Sequence, residues 1–184
     1  EMQRSLVGSE MCIRDSIHTV YVFNHSDRDL TDYLERLKKA IDKEDVKVVQ
    51  CKAVEELVRN SDIICTTTPS TTPVLPDDKE LLRGKCIIAI GSYMPEMREI
   101  PDAVLDLVDN VYIELPYACE ESGDLSQPLA SGKLTKDRVK LMHEYLVSGE
   151  KEIKEGQTTY FKSVGMGLFD VCIAQKLYEV AKEK

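Results

Sequence analysis

Three polar residues, Asn24, His25 and Ser26, stand directly after the β-branched run Thr19–Phe23. Ligands of doubly wound sheets bind beyond the carboxyl ends of the strands, so residues at this place can contact a ligand. If the run is the second strand of a dinucleotide-binding fold, these residues meet the ribose of adenosine. An acidic residue would accept from the ribose 2′-hydroxyl, whereas neutral or basic residues tolerate a 2′-phosphate. The pattern favours NADP over NAD; a polar turn that caps the next helix is the alternative.

Three hydroxyl side chains, those of Thr66, Thr67 and Thr68, follow a second apolar run, and Pro69 stops that run from continuing as a strand. Hydroxyl and backbone groups in such a turn can pack against the pyrophosphate or the nicotinamide ribose of a dinucleotide. An ordinary threonine-rich turn fits the composition equally well. The two interpretations stay open at this level.

The segment Gly165–Asp170 follows an extended stretch and superficially matches a dinucleotide fingerprint with aspartate in place of the third glycine. That interpretation fails because too little chain follows Asp170 for the helix to end and a second strand to present an acidic residue to a ribose. We therefore expect a tight turn from strand to helix, with Lys162 or Ser163 facing a site.

Other residue types that carry chemistry lack a suitable spacing. The six cysteines form no C-x-x-C pair and no zinc-like cluster with the three histidines, so we predict no metal site. Most of the many acidic residues between Glu96 and Asp124 are expected on the solvated surface, without a distinct acid/base pair. Cysteines inside apolar runs are typical of a reducing compartment, and the N-terminus lacks the order of a secretory signal, so we expect a cytoplasmic protein.

The net charge of −9 repels nucleic acid and anionic lipid headgroups. No apolar run approaches the length of about 20 residues that a membrane span requires. A hydrophobic content of 42% beside 31% charged residues is typical of a globular protein. Composition therefore argues against nucleic-acid and membrane partners and leaves a small molecule as the expected ligand.

Alternation of short Val- and Ile-rich runs with helical periodicity predicts an α/β fold with a doubly wound parallel sheet. The predicted strands are Thr19–Phe23, Val46–Gln50, Asp62–Cys65, Cys86–Ile90 and Val111–Leu115. Helices are predicted over 30–41, 53–60 and 102–108. Beyond Pro116 we expect an irregular polar stretch over 118–132, a helix over 134–147, an extended stretch over 158–164 and a C-terminal helix.

The chain is predicted to have three segments. Residues 1–16 show neither strand alternation nor a helical stripe, which indicates a segment foreign to the protein. Residues 17–150 form a partial NAD(P)-binding, Rossmann-like domain that is incomplete at its N-terminus. Residues 151–184 form a C-terminal strand-turn-helix segment.

Four motifs in order resemble the ornithine cyclodeaminase/mu-crystallin family: Asp62–Ser70, Ile90–Ile100, Ser122–Leu125 and Phe161–Asp170. The resemblance covers residues 17–184, which correspond to the second half of a typical member. It implies an NAD(P)-dependent protein that cyclises ornithine, reduces a cyclic ketimine or dehydrogenates a small amino acid. It further implies that the full-length parent forms a homodimer, that the C-terminal helix returns to an N-terminal lobe missing from this chain, and that this chain alone is inactive.

The resemblance also implies roles for single residues. The stretch from Asn24 to Ser26 matches the loop for the ribose or 2′-phosphate, and Thr66 to Thr68 match the cofactor loop. The nicotinamide end is matched by Lys162, Ser163 and Val164.

Tyr93 stands where ornithine cyclodeaminases carry a catalytic aspartate. Since a tyrosine with an ordinary pKa of about 10 is a much poorer base than an aspartate, a ketimine reductase or a related dehydrogenase suits this residue better. Two alternatives remain: a non-catalytic protein of the mu-crystallin type that binds NADP(H) or a small ligand, and an unrelated flavodoxin-like module.

Overall fold

The computed structural model describes residues 17–26, 29–41, 46–148 and 154–182. Contacts divide the chain into two compact units, Glu1–Asn60 (unit 1) and Ser61–Lys184 (unit 2). The prediction for residues 1–16 concerns residues outside the described ranges. The sequence-based domain boundaries also stay predictions.

Unit 1 contains two strand–helix pairs: β1 (Thr19–Val22), α1 (Thr31–Ile41), β2 (Lys47–Gln50) and α2 (Val54–Asn60). The strands β1 and β2 pair in parallel. The predicted apolar face of α1 is its less exposed side, and Leu37 on that face is buried. The predicted strands and the crossover helix between them are therefore confirmed.

Unit 2 contains five strands and six α-helices among its described residues. The strands are β3 (Ile63–Thr66), β4 (Cys86–Ala89), β5 (Val111–Ile113), β6 (Val139–Leu141) and β7 (Thr159–Lys162). The helices are α3 (Lys79–Leu82), α4 (Asp102–Leu107), α5 (Ala118–Glu121), α6 (Gly123–Ser131), α7 (Met142–Ser148) and α8 (Gly167–Lys182). All strands are parallel, in the order β3-β4-β7-β5-β6. The predicted α/β fold with a parallel sheet is confirmed.

One face of this sheet carries buried residues from three neighbouring strands. Alternate residues of β3, β4 and β7 point to that face, where Ile64, Ile87 and Tyr160 are almost fully buried. The helix α4 packs its buried residues Val104 and Leu105 into the same unit. Strand β5 is buried at all three positions, as expected of a parallel strand inside a sheet.

Two predictions for the second half of unit 2 were wrong. The stretch 118–132 forms α5 and α6 rather than an irregular loop, and the side chain of Ser122 caps the start of α6. The stretch 134–147 forms a 3₁₀ turn, then β6 and α7, rather than one helix. Val139 in β6 pairs with Val111 in β5, so tertiary pairing overrides the helical periodicity here.

The last strand in the sequence, β7, lies between β4 and β5 in the sheet. The helix α8 that follows it exposes several large apolar side chains, among them Leu168, Phe169 and Leu177. Within the described ranges, no helix is both long and apolar enough to cross a membrane.

Candidate functional site

The carboxyl ends of the parallel strands of unit 2 share one edge of the sheet. The loops that follow β3, β4, β5 and β7 therefore begin at this edge. The loops after β3, β4 and β7 carry the motifs Asp62–Ser70, Ile90–Ile100 and Phe161–Asp170. The fourth motif, Ser122–Leu125, contacts these motifs through its side chains. The carboxyl edge is consequently the place where a ligand of this fold is expected.

The carboxylate of Glu99 holds the loop that follows β3. Its Oε1 accepts hydrogen bonds from Thr68 N at 2.5 Å and Thr68 Oγ1 at 2.8 Å. Its Oε2 accepts from Thr66 Oγ1 at 2.9 Å and from Gly91 N, at the end of β4, at 2.8 Å. Because Glu99 is fully buried, these four donors replace the water that a carboxylate would otherwise bind.

Gly91 allows the loops after β3 and β4 to approach each other. A Cβ atom at this position would lie 2.2 Å from both the backbone N and the backbone O of Thr68. It would also lie 2.6 Å from Oε1 of Glu99. Only glycine fits this close approach of two backbones.

Asp124 joins this arrangement to the end of β7. Its Oδ1 accepts from the backbone N of Glu99 at 2.7 Å and of Ile100 at 2.9 Å. Its Oδ2 lies 3.4 Å from Nζ of Lys162, and both side chains are fully buried. Burial raises the pKa of Asp124 and lowers the pKa of Lys162, because each charged form loses hydration inside the protein. The same buried region contains the hydrogen bond between the hydroxyls of Ser92 and Ser122, at 2.8 Å.

Glu114, directly after β5, holds the turn between β7 and α8. Its Oε1 accepts from Ser163 Oγ at 2.8 Å, from Val164 N at 2.6 Å and from Gly165 N at 2.9 Å. Gly165 has a φ of +87°, a conformation that favours glycine. The hydroxyl of Tyr117 donates to Gly165 O at 2.5 Å. The predicted tight turn from strand to helix is confirmed.

The polar residues after β1 form a separate, exposed group in unit 1. Asn24, His25 and Ser26 are all exposed, and Nδ2 of Asn24 donates to Oγ of Ser26 at 2.9 Å. None of the three is acidic. Their side chains are therefore accessible to a ligand that lies beyond the carboxyl end of β1.

A family model described as the ornithine cyclodeaminase/mu-crystallin family matches residues 8–184. The chain belongs to this family. The match excludes the alternative of an unrelated flavodoxin-like module. The four family motifs meet in unit 2 at the carboxyl edge of the sheet or in the buried contacts directly beneath it.

Curated relatives include two reductases. The chain is 30% identical over 187 residues to a Delta(1)-pyrroline-2-carboxylate reductase of Bacillus cereus, and this match covers 100% of the chain and 56% of the relative. It is 34% identical over 135 residues to ketimine reductase mu-crystallin of Rattus norvegicus, covering 73% of the chain and 40% of the relative. The chain thus spans about half the length of the curated relatives it matches.

A solved structure confirms the fold of this family. It is the Thermococcus litoralis Delta(1)-pyrroline-2-carboxylate reductase in complex with NADH and L-proline, which is 21% identical with a TM-score of 0.78. The match covers 91% of the chain and 51% of that structure. The Rossmann-like α/β architecture that the sequence predicts is thereby confirmed.

The carboxyl edge of unit 2 presents hydroxyl and backbone groups to which a ligand can bind. The carboxylates of Glu99 and Asp124 are buried and accept hydrogen bonds from protein groups beneath the edge. Thr67 and Tyr93 are exposed there, and the backbone of both loops donates hydrogen bonds to the buried carboxylate of Glu99. Hydroxyl and backbone groups on a rigid support are the kind of contacts that orient a bound cofactor.

The family residues predicted from the sequence fall into two groups. Thr66 and Lys162 are buried, and their side chains contact Glu99 and Asp124 rather than the surface. Thr68, Ser163 and Val164 are partly exposed, with hydrogen bonds to buried carboxylates. Tyr93 is 51% exposed. The assignment of all these residues to a cofactor or to catalysis stays a prediction.

Sequence reasoning missed Glu99, Glu114 and Asp124 as organisers of the site. All three are buried, although most acidic residues of that stretch were expected on the surface. Glu99 and Asp124 lie within the quoted motifs, and Glu114 directly follows a strand. The position of Glu114 at the end of an apolar run could have indicated a functional residue. The sequence alone does not show which hydrogen-bond donors contact its carboxylate.

Proposed function

We propose that the whole protein is an NAD(P)H-dependent reductase of a small cyclic imine, and that this chain supplies its dinucleotide-binding part. The observation that carries the proposal is the meeting of the four family motifs beneath one sheet edge in unit 2. Support comes from relatives at 30% and 34% identity whose names are those of a pyrroline-2-carboxylate reductase and a ketimine reductase. The bound cofactor supplies a hydride to the imine carbon.

Candidate contacts with a cofactor are proposed for each unit by itself. In unit 1, Asn24, His25 and Ser26 bind the ribose of adenosine and its 2′-phosphate. NADPH is the proposed cofactor because these exposed residues include no carboxylate that would repel a phosphate. In unit 2, the loop from Thr66 to Thr68 and the turn after β7, with Ser163 and Val164, lie against the nicotinamide half.

Tyr93 is the proposed catalytic residue. Its side chain is half exposed at the carboxyl edge, and its hydroxyl is a hydrogen-bond donor. Reduction of an imine adds a hydride to carbon and a proton to nitrogen, so a donor beside the substrate nitrogen assists the reaction. Ornithine cyclisation is disfavoured because Tyr93 replaces the aspartate that the family's cyclodeaminases carry.

A non-catalytic binding protein is the second candidate function. The observation that favours it is again Tyr93 in place of an aspartate, which removes one acid/base group. Such a protein would bind NADP(H) and a small ligand and would not oxidise the cofactor. The two candidates therefore differ in one measurable property, the consumption of NADPH.

The experiment starts from the transcript, whose 5′ end is amplified and sequenced before the protein is expressed. The loss of NADPH and NADH absorbance is then followed with Δ1-pyrroline-2-carboxylate, and ammonia release is followed with L-ornithine. We expect NADPH-dependent reduction and no ammonia. In Tyr93→Phe, kcat should fall about a hundredfold or more, since positioned proton donors contribute on that order. Cofactor binding without any turnover would favour the binding protein instead.

We propose two further properties of the whole protein. A homodimer, with α8 packed on an N-terminal lobe, is supported by the large apolar side chains that α8 exposes. A cytoplasmic location is supported by the free thiols of the five described cysteines, since disulfides are rare in that compartment. Sedimentation of the complete protein tests the dimer, and fractionation of cells tests the location.

A further inference from the structure

Three charged side chains are buried together beneath the carboxyl edge of unit 2. Glu99 and Lys162 are fully buried, and Asp124 is 1% exposed. Two carboxylates and one ammonium group share this interior, with the Nζ of Lys162 3.4 Å from Oδ2 of Asp124. The carboxylate of Glu114, 6% exposed, is a further negative charge that acts on Lys162. Burial of an ion pair is costly, and removal of one partner leaves an uncompensated charge that costs more.

The contacts of these groups form a continuous path from β7 to the loop after β3. Lys162 faces Oδ2 of Asp124, while Oδ1 accepts from the backbone N of Glu99. The carboxylate of Glu99 in turn accepts from Thr66 Oγ1 and from both the N and Oγ1 of Thr68. A shift of Asp124 therefore moves the residue whose side chain shapes that loop.

We infer that Lys162 is a positioning residue for the loop from Thr66 to Thr68, acting through Asp124 and Glu99. This inference rests on the proposed function, since it requires that the loop contacts a dinucleotide. The Nζ atom of Lys162 is buried from solvent and therefore does not touch a ligand at the surface. Its influence on binding is indirect.

The role of the ammonium group is to compensate the charge of Asp124. Without the ammonium group, the buried carboxylate of Asp124 gains a proton or draws in water, and its hydrogen bond with the backbone N of Glu99 weakens. Replacing Asp124 by asparagine at the same time removes the uncompensated charge. The amide oxygen still accepts from the backbone N of Glu99 and Ile100, so the double change is expected to restore the loop. The buried amide N–H group, which takes the place of Oδ2 and has no acceptor there, lowers the free energy of unfolding of the double variant.

Tyr160 offers a matched control in the same strand. Its ring is fully buried on the same face of β7 as Lys162, and its hydroxyl has no hydrogen-bond partner among the described residues. The variant Tyr160→Phe therefore alters the buried region without touching the path to the loop.

The test measures the dissociation constants for NADPH and for AMP, together with the free energy of unfolding, in the complete protein. AMP has no nicotinamide half and reports adenosine binding alone, whereas NADPH also reports the loop that is proposed to contact the nicotinamide half. We expect Lys162→Met to weaken NADPH about tenfold and leave AMP unchanged, a coupling energy typical of residues in one network. The dissociation constant of the double variant K162M/D124N for NADPH should lie within about threefold of the wild-type value. That of Y160F should equal the wild-type value.

Three results would overturn the inference. The first is wild-type NADPH affinity in folded K162M, and the second is an equal loss of NADPH and AMP binding. The third is a folded double variant that still binds NADPH about tenfold more weakly than the wild type, because Lys162 would then act independently of Asp124. If K162M does not fold, a folded double variant with wild-type affinity supports compensation of Asp124. Wild-type protein that binds no NADPH refutes the proposed function instead.

Discussion

Units 1 and 2 hold their polar loops by different means. Among the described residues of unit 1, the side-chain hydrogen bonds join positions at most four apart and lie at exposed sites, such as that between Asn24 and Ser26. In unit 2, hydrogen bonds at buried or partly buried sites join distant positions. The bond between Thr66 and Glu99 spans 33 positions, and that between Ser163 and Glu114 spans 49.

This difference indicates two ways to build a binding loop. An exposed loop with local hydrogen bonds changes its chemistry when one side chain changes, and the fold is little affected. A loop held by buried carboxylates depends on several elements at once, so a change to any of them alters both stability and binding. We therefore expect the preference for NADPH or NADH to depend on the exposed loop of unit 1. The loops of unit 2 are expected to be the more rigid ones.

The largest expected effect is that of Gly91→Ala. The new Cβ would meet the backbone of Thr68 at 2.2 Å, so one of the two loops must move. We expect a loss of about 3 kcal/mol or more in the free energy of unfolding, measured with urea. Gly167→Ala is the control, because a Cβ there meets nothing within 4 Å, and its effect should stay within about 0.5 kcal/mol. Equal effects of the two changes would contradict the close approach.

Matched substitutions of one glutamate in each unit compare the buried and the exposed hydrogen bonds most directly. In Glu99→Gln, the amide group must face a backbone N–H on either side, since Thr68 N bonds one oxygen and Gly91 N the other. We expect a loss of about 2–3 kcal/mol from a buried donor without an acceptor. The matched change in unit 1 is Glu56→Gln, where an exposed carboxylate accepts from Lys52 N at 2.9 Å, and it should cost below about 0.5 kcal/mol. Similar losses in urea unfolding would remove the contrast between the units.

A third change tests cofactor choice in unit 1. His25→Asp places a negative charge beyond the carboxyl end of β1, and we expect it to weaken NADPH about fivefold more than NADH through repulsion of the 2′-phosphate. His18→Asp introduces the same charge at the opposite end of β1 and should affect both cofactors equally. Binding titrations of the complete protein measure both. Equal weakening by His25→Asp would refute the assignment of this loop to the ribose.

The smallest expected effect is the change in stability with pH that arises from one aspartate in each unit, Asp29 and Asp124. Hydrogen bonds from Thr31 lower the pKa of exposed Asp29 below its ordinary 3.8, whereas burial raises the pKa of Asp124 above that value. The stabilising effect of Asp29 is thus present above pH 3.8 and lost as the pH falls through its lowered pKa. For Asp124 the sign is reversed, and stability falls as the pH rises from 3.8 through its raised pKa. Carboxyl NMR titration checks both directions, and a lowered pKa at Asp124 would contradict its desolvation.

The parts of the fold that depend on local sequence were predicted well. The strands β1 to β5 appear within one or two residues of the predicted runs, because Val- and Ile-rich segments between turns are typical of buried parallel strands. The strand β6 was missed because the stretch 134–147 was predicted as one helix, and the strand is established by the pairing of Val139 and Leu141 with β5. The central place of β7 is equally a matter of pairing and not of local pattern.

The sequence by itself determined the class of fold, the family and the loops at which a ligand is expected, because turn residues and motifs act over short distances along the chain. Only the tertiary structure decided which carboxylates are buried and which donors they hold. Glu99 and Glu96 look alike in the sequence, yet Glu99 is fully buried with four donors and Glu96 is exposed. Burial and hydrogen bonding depend on elements that are distant in sequence, and those contacts turn an ordinary glutamate into the support of a loop.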